Sequence, residues 1–475
     1  MNRIKTFISD VLRPGESPAS FEALLTSDDR DEFDRDEVAG IPPEDPYNLV
    51  YWIFVLQGAA MLLPWNVFIT ASTFFANRFA QTPYAETFQN YFSTYFTASS
   101  LLTFAYALWS QKKANANTRV VCALFINTIA FCAIMVTVPI SSFVQYSYFY
   151  FTMLLVSLTG ATTSFYQIGI FAAASRFPHK YLQGIMSGQA LAGTAVALSS
   201  ILSALAASPT SEPDEEAIRK SAMLYFMSAL LITLVSLGSY IALLRQRFFI
   251  FYMKDVSTSV RASSAENNDE DSDPEMLFPV EAREITILGV LKKIKWLAFS
   301  VAYVFIVTIA VFPSITSLVK SVQAHPSTSI VVTQLPRMLQ DDIFVSFHFL
   351  IFNVCDWIGR LLPLVDWLRF TRPSLLTGLS LARTAVIPLF LICNVVAADK
   401  TLPVVIDSDV AYFLLLMFFS TSNGWVGSLC MMAIPDLSVL TTPEEKSLAG
   451  SIMSFSLAFG LAVGGVMSFV VRSMV

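Results

Sequence analysis

Asp356 and Arg360 stand four residues apart in FNVCDWIGRLLP (352–363), inside a stretch from about 341 to 366 that is otherwise mostly apolar. At i and i+4 of a helix they share a face and can pair. A charge at the centre of a membrane helix costs about 2.5–3.5 kcal/mol on insertion scales, so two of them need a reason. One arrangement is an ion pair that locks this helix to a neighbour. The other is a polar stripe, joined by Asn353, that faces a water-filled cavity. There the carboxylate accepts hydrogen bonds and the guanidinium, with five donors, gives them to a ligand's oxygens. His348, about one turn before Asn353, is either a proton site or a histidine satisfied within the bundle.

Other polar residues interrupt apolar runs. Trp65 and Asn66 follow Pro64 well inside their segment; the Trp65 ring is either a membrane-interface anchor or, beside the helix break, a flat face that stacks on a planar ligand. Thr159, Thr163 and Gln167 recur every four residues on one helical face. Gln167 offers two donors and an acceptor to a polar ligand, or binds a neighbouring helix. Arg383 lies some ten residues into its segment, with Asn394 on the same face eleven residues later, and Asn423 and Gly424 lie in the next segment. The five cysteines all sit in apolar segments without paired zinc or redox spacing. The chain has no GxSxG, HExxH or GxxxxGK[ST] string, so it reads as neither an enzyme nor a self-contained ATP-driven pump, and no cofactor is called for.

The elements that hold these residues are membrane helices. Of 475 residues, 55% are hydrophobic and 14% charged, where soluble proteins carry about 25% charged residues. Mean hydropathy is +0.59. Eleven segments approach the roughly 20 apolar residues a spanning helix needs. They fall at about 47–70, 88–110, 118–140, 146–172, 181–207, 220–244, 291–318, 341–366, 373–397, 408–434 and 447–471. The expected fold is an all-α polytopic membrane protein of six plus five helices. Residues 1–46, with DDRDEFDRDE, read as a disordered acidic tail, and 245–290, with SSAENNDEDSDPE, as a disordered loop between the bundles 47–244 and 291–475. Net charge is −6, largely from these two segments, and implies no nucleic-acid partner.

Basic residues orient the chain. With the N-terminus in the cytosol, 21 Lys and Arg lie on the cytosolic side and 7 on the other. The C-terminus is then extracytosolic. The halves also look alike. IMSGQALAGTAV (185–196) and IMSFSLAFGLAV (452–463), each in the fifth helix of its half, share six of twelve positions. LLPWN and VFPSI place a proline in the first helix of each. Repeated halves with proline-interrupted helices point to a transporter with a midplane site.

Several strings converge on one family. LPWNVFITASTFF, IMSGQALAG, FPSIT, FNVCDWIGR, LARTAVIPLFLICN and SNGWVGSLCMMAIP resemble, in order and over about 47–470, the equilibrative nucleoside transporters. The resemblance implies a major-facilitator-like fold that moves nucleosides by alternating access, in a lipid bilayer. It implies that Trp65 lies near the ligand and that Gln167, nineteen residues before Met186, contacts the nucleobase. It also implies that Asp356 and Arg360 bind the ribose hydroxyls, while Asn353, Phe312 and Arg383 line or support the site. SFYQIGIFAAASRF is bulkier than in many relatives, which leaves base preference open. The acidic tail is similar to those of fungal vacuolar and lysosomal members, which favours a vacuolar-type membrane over the plasma membrane; SFEALL (20–25) is a loose acidic-dileucine lookalike. Two other functions remain open: a carrier of sugars or other small polar solutes, and a receptor or scaffold that transports nothing.

Overall fold

A computed structural model describes residues 43–85, 87–111, 115–140, 145–206, 215–253, 285–325, 336–396 and 402–474. The first half comprises α1 (Leu49–Thr70), α2 (Ser72–Arg78), α3 (Phe88–Trp109), α4 (Ala116–Thr137), α5 (Gln145–Ala174), α6 (His179–Ala206), α7 (Glu215–Leu243) and α8 (Arg247–Met253). The second comprises α9 (Ile287–Val311), α10 (Asp341–Leu361), α11 (Pro373–Ala382), α12 (Val386–Leu391), α13 (Asp409–Met432) and α14 (Pro443–Arg472). Successive long helices alternate in direction. The end where α1 begins is called proximal, the opposite end distal.

Among the described residues, ten spans are long and apolar enough to cross a membrane, α11 and α12 together forming one. α3 is the eleventh helix of spanning length, at 22 residues. It falls short in hydropathy because Asn90, Ser93, Thr94, Thr97 and Ser100 recur every three or four residues along one side.

Three expectations change. The seventh segment stops being helical at Phe312, which is extended at φ −105° and ψ 127°. Pro313 explains this: it lacks an N–H and pushes the preceding residue out of the helical region. α1, by contrast, runs through Pro64, so the two prolines do not play matching roles. The ninth segment is broken at a 3-10 turn, Arg383–Ala385. Residues 247–253, expected within the disordered loop, form α8, whose Phe248 and Phe249 pack on Phe177. The tail up to residue 42, the acidic part of the loop and the SFEALL string lie outside the described residues.

Packing follows the expected repeat. The first and fifth helices of each half cross closely, α1 on α6 and α9 on α14; the second pairs with the fourth, α3 with α5 and α10 with α13. Lipid supplies little drive for helices to associate, so close van der Waals fit decides, and small residues permit it. A Cβ on Gly188 of α6 would lie 1.9 Å from the Val55 carbonyl oxygen, and one on Gly460 of α14 2.4 Å from that of Ala302.

The apolar cores reveal the state of the molecule. In the proximal half one core, including Phe54, Tyr181, Val301, Leu429 and Met453, runs through both bundles. In the distal half there are two: one around Phe68, Phe75, Phe79 and Phe226 of the first bundle, the other around Phe312, Phe352, Phe390 and Phe419 of the second. The bundles are joined proximally, mainly through α6 on α10 and α5 on α14, and part distally.

Candidate functional site

α10 presents Asp356 and Arg360 one turn apart, near its proximal end. The Arg360 Nε donates to Asp356 Oδ2 at 2.8 Å, and the two residues are 7% and 5% exposed. The pair forms, and it does more than lock one helix. Arg360 Nη1 reaches into the other bundle, donating to the Met186 carbonyl at 2.9 Å and standing 3.4 Å from Gln189 Oε1 of α6. Among the described residues nothing takes a hydrogen bond from its Nη2. The same seam carries Trp357 Nε1 donating to Ser187 Oγ at 2.9 Å and Gln183 Nε2 donating to the Arg360 carbonyl at 3.0 Å. Tyr51 in turn donates to Gln183 Oε1. At the proximal surface His179 contacts Arg369 and stands 3.5 Å from Asp436, a further tie across the bundles.

The other carboxylate oxygen, Oδ1, accepts from Asn423 Nδ2 at 2.6 Å. α13 comes this near because Gly424 has no side chain: a Cβ there would lie 2.0 Å from the Asp356 carbonyl oxygen. Arg383 joins from the break between α11 and α12. It donates through Nη2 to Thr308 Oγ1 at 2.8 Å, through Nη1 to the Phe419 carbonyl at 3.0 Å, and to Ser422 Oγ, with its guanidinium 4.7 Å from the Phe419 ring.

A second observation sets the height of the site. The Tyr166 hydroxyl donates to Gln57 Oε1 at 2.6 Å, which places Gln167 of α5 level with Gln57 of α1. A Cβ on the adjacent Gly58 would lie 2.1 Å from the Ile185 carbonyl oxygen, one residue before Met186. Gln167, Met186 and Arg360 therefore occupy one layer. Gln167 is 6% exposed, and among the described residues its amide has no hydrogen-bond partner.

The expected site residues divide accordingly. Asp356, Arg360 and Asn353 share α10, and Asn353 Nδ2 donates to the Phe349 carbonyl at 2.8 Å while its Oδ1 lies against Gly193 of α6. Phe312 stacks on Phe352, one turn before Asp356, with centroids 3.8 Å apart. Arg383 belongs to the Asp356 network. Trp65 lies elsewhere: it is eight residues beyond Gln57, about 12 Å distal along α1. It sits 5.1 Å from the Phe96 ring and lines a cavity of about 230 Å³ with Gln89, Asn90, Phe92 and Ser93. Asn66 faces a different cavity, of about 320 Å³, between α1, α6 and α7.

Some readings of single residues are corrected. Asn394 does not join Arg383; its Nδ2 holds the Lys320 and His325 carbonyls. On α5 the interhelical bonds include those from Thr162 to Asn127, from Ser164 to Ser100 and from Tyr166 to Gln57, outside the Thr159–Thr163–Gln167 stripe. His348 is 1% exposed, with Nδ1 3.1 Å from the Thr316 carbonyl and 3.2 Å from the Tyr412 hydroxyl, and among the described residues its Nε2 has no hydrogen-bond partner. Thr308 and Gln189 went unnoticed in the sequence. Their one signal was a lone polar residue in an apolar run, which many membrane helices carry.

The sequence profile of the family described as "Nucleoside transporter" matches residues 152–473. Equilibrative nucleoside transporter 1 of Homo sapiens is 30% identical over 476 residues, covering 91% of this chain and 99% of the relative. Nucleoside transporter FUN26 of Saccharomyces cerevisiae is 28% identical over 463 residues, covering 89% of this chain and 84% of the relative. Among solved structures, that of "a Major Facilitator Superfamily (MFS) transporter, FucP, in the outward conformation" superposes with a TM-score of 0.54 at 12% identity, covering 90% of this chain and 97% of that one. That likeness is one of fold. The expected major-facilitator-like architecture and the family resemblance are both borne out.

Proposed function

Since this chain belongs to the nucleoside transporter family, we propose that it carries nucleosides across a bilayer by alternating access, through a site between its two helix bundles. It is a multi-pass integral membrane protein. The observation that carries the mechanism is Arg360, which is paired with Asp356 on one bundle and bonded to the Met186 carbonyl on the other. A ligand that engages this pair acts where the bundles are tied. Vicinal ribose hydroxyls suit a carboxylate, whose two oxygens each keep a lone pair beyond the protein's donors. Arg360 Nη2 is left to donate to ribose oxygens. Gln167, level with Arg360 and without a partner, orients the nucleobase. Phe312 and Asn353 support the α10 face, and Trp65 meets the ligand on the distal path.

Exchange of sides requires the seam to open: Arg360 to Met186, Trp357 to Ser187 and Gln183 to the Arg360 carbonyl all span it. The Arg360 bond, to a charged group, contributes about 1.5–3 kcal/mol and each of the two neutral bonds about 0.5–1.5 kcal/mol, a barrier that contacts with the ligand offset. The excess of Lys and Arg assigns the proximal end and N-terminus to the cytosol and the C-terminus to the other side. The acidic tail favours a vacuolar-type membrane over the plasma membrane.

Purified protein in liposomes tests this reading. Uridine or adenosine uptake should be competed by nucleosides and not by hexoses; hexose competition would favour the sugar carrier, and no uptake of any solute would favour a receptor or scaffold. Asp356→Asn, in folded protein, should shrink the preference for ribonucleosides over 2′- and 3′-deoxy analogues. An unaltered preference removes Asp356 from ribose binding. Gln167→Leu should reorder the ranking of bases while leaving the hydroxyl preference intact. If all nucleosides lose affinity in equal proportion, Gln167 is structural.

A further inference from the structure

We propose that Asn423 is a positioning residue for substrate recognition: its amide fixes the Asp356 carboxylate in the orientation that meets the ribose, and Arg383, through Thr308, fixes the amide. This rests on the ribose-binding reading of Asp356.

The chain of contacts has a direction. A guanidinium only donates and an ionised carboxylate only accepts. Arg383 Nη2 donates to Thr308 Oγ1 at 2.8 Å, and Thr308 Oγ1 lies 2.7 Å from Asn423 Oδ1. Asn423 Nδ2 then donates to Asp356 Oδ1 at 2.6 Å. The Thr308 hydrogen is shared between Asn423 Oδ1 at 2.7 Å and the Val304 carbonyl at 2.8 Å. Only Nδ2 can face a carboxylate, so Oδ1 must face Thr308. All four residues are at most 5% exposed and come from four elements: the turn before α12, α9, α13 and α10.

The residue types are constrained. With Arg360 on Oδ2 and Asn423 on Oδ1, each carboxylate oxygen has one protein donor and a lone pair left over. The carboxylate plane is pinned at both oxygens. Leucine at 423 would free Oδ1 to rotate away. Aspartate would set a second carboxylate against the first. Among the described residues, the charged groups around Asn423 are Asp356 directly, and Arg360 and Arg383 one contact further on.

The test uses full-length protein in liposomes and compares uridine with its 2′- and 3′-deoxy analogues from about pH 5 to 8, with a thermal melt of each variant. Two ionised carboxylates at hydrogen-bond distance repel, and acidification adds the one proton that lets the pair hydrogen-bond. Asn423→Asp should therefore transport about tenfold less than wild type at neutral pH and recover towards wild type on acidification, its ribose preference recovering in step. Thr308→Val should lower the ribose-to-deoxyribose ratio about threefold or more, acting on KM with the maximal rate kept. Thr308→Ser, which retains the hydroxyl, should restore the ratio. A wild-type pH profile in folded Asn423→Asp, or a wild-type ratio in folded Thr308→Val, overturns the proposal. If Asn423→Asp does not fold, the Thr308 pair decides alone. Asp356→Asn, run in parallel, separates the two levels of the argument. If it keeps the ratio, the ribose-binding reading fails and this proposal with it. If it loses the ratio while Thr308→Val keeps it, this proposal alone fails.

Discussion

Arg360→Lys is expected to lose nearly all nucleoside transport while keeping its charge and the fold. Arginine holds three partners at once: Asp356 through Nε, and the Met186 carbonyl and Gln189 through Nη1. These lie on two bundles, and the planar fork spans them with a further donor to spare. A lysine ammonium is a compact point charge on a shorter reach and cannot reproduce that geometry. It can keep the pairing with Asp356, which is why folding should survive. Losing the guanidinium's donation to ribose oxygens, at about 1.5–3 kcal/mol for each hydrogen bond to a charged group, lowers uptake by at least about tenfold. Initial rates of uridine uptake in liposomes, normalised to folded protein, measure this. Uptake within a few-fold of wild type would show that Arg360 acts through charge alone.

Gly424→Ala should be the most damaging one-carbon change in the second bundle. The new Cβ would fall 2.0 Å from the Asp356 carbonyl oxygen and 2.9 Å from the Arg360 N. Both are backbone atoms of a packed helix and cannot swing aside, so α13 must move away from α10. That shift stretches the 2.6 Å bond from Asn423 to Asp356. Overpacking of this kind costs typically 1–3 kcal/mol, and transport should fall further because the binding carboxylate loses its second donor. Gly378 of α11 is the control, since a Cβ there meets nothing within 4 Å. Gly378→Ala should leave uptake unchanged and hold or raise the melting temperature, alanine being better in helices by about 1 kcal/mol. Equal melting temperatures and equal uptake for the two variants would mean that α10 and α13 are not as tightly apposed as described.

Much of this molecule was legible in its sequence, for identifiable reasons. Long apolar runs have few alternatives in a bilayer, so the helices and the six-plus-five division emerged from hydropathy. The likeness of the two halves was foreshadowed by the shared letters of IMSGQALAGTAV and IMSFSLAFGLAV. Asp356 and Arg360 announced themselves as charges where charge is costly. What stayed hidden was tertiary. Nothing in the local sequence says that Arg360 bonds to a backbone carbonyl 174 positions away, because every residue has such a carbonyl. Thr308 looked like ordinary filler in α9. The break at Arg383 was not visible, since a 3-10 turn needs no proline or glycine to mark it. The end of α9 was readable in principle: Pro313 forbids the helix that hydropathy would continue. Residues 247–253 are too short to span a membrane and border the acidic loop, which hides them from hydropathy, although RFFIFYM is aromatic enough to pack.

The polar stripe of α3 bears on how the chain is assembled. α3 is too hydrophilic on one side to settle in lipid as readily as its neighbours. α5 covers the proximal end of that stripe, where Ser164 donates to the Ser100 carbonyl at 2.8 Å and Gly160 lets the α5 backbone lie against Phe96 and Ser99, while Asn90 and Ser93 line the cavity beside Trp65. α5 leaves the ribosome only after α3 and α4 have been made. During synthesis α3 must therefore wait beside the insertion machinery, or at the bilayer edge, until its partner arrives. Damage at the α3–α5 contact would appear first as misinserted, degraded chains.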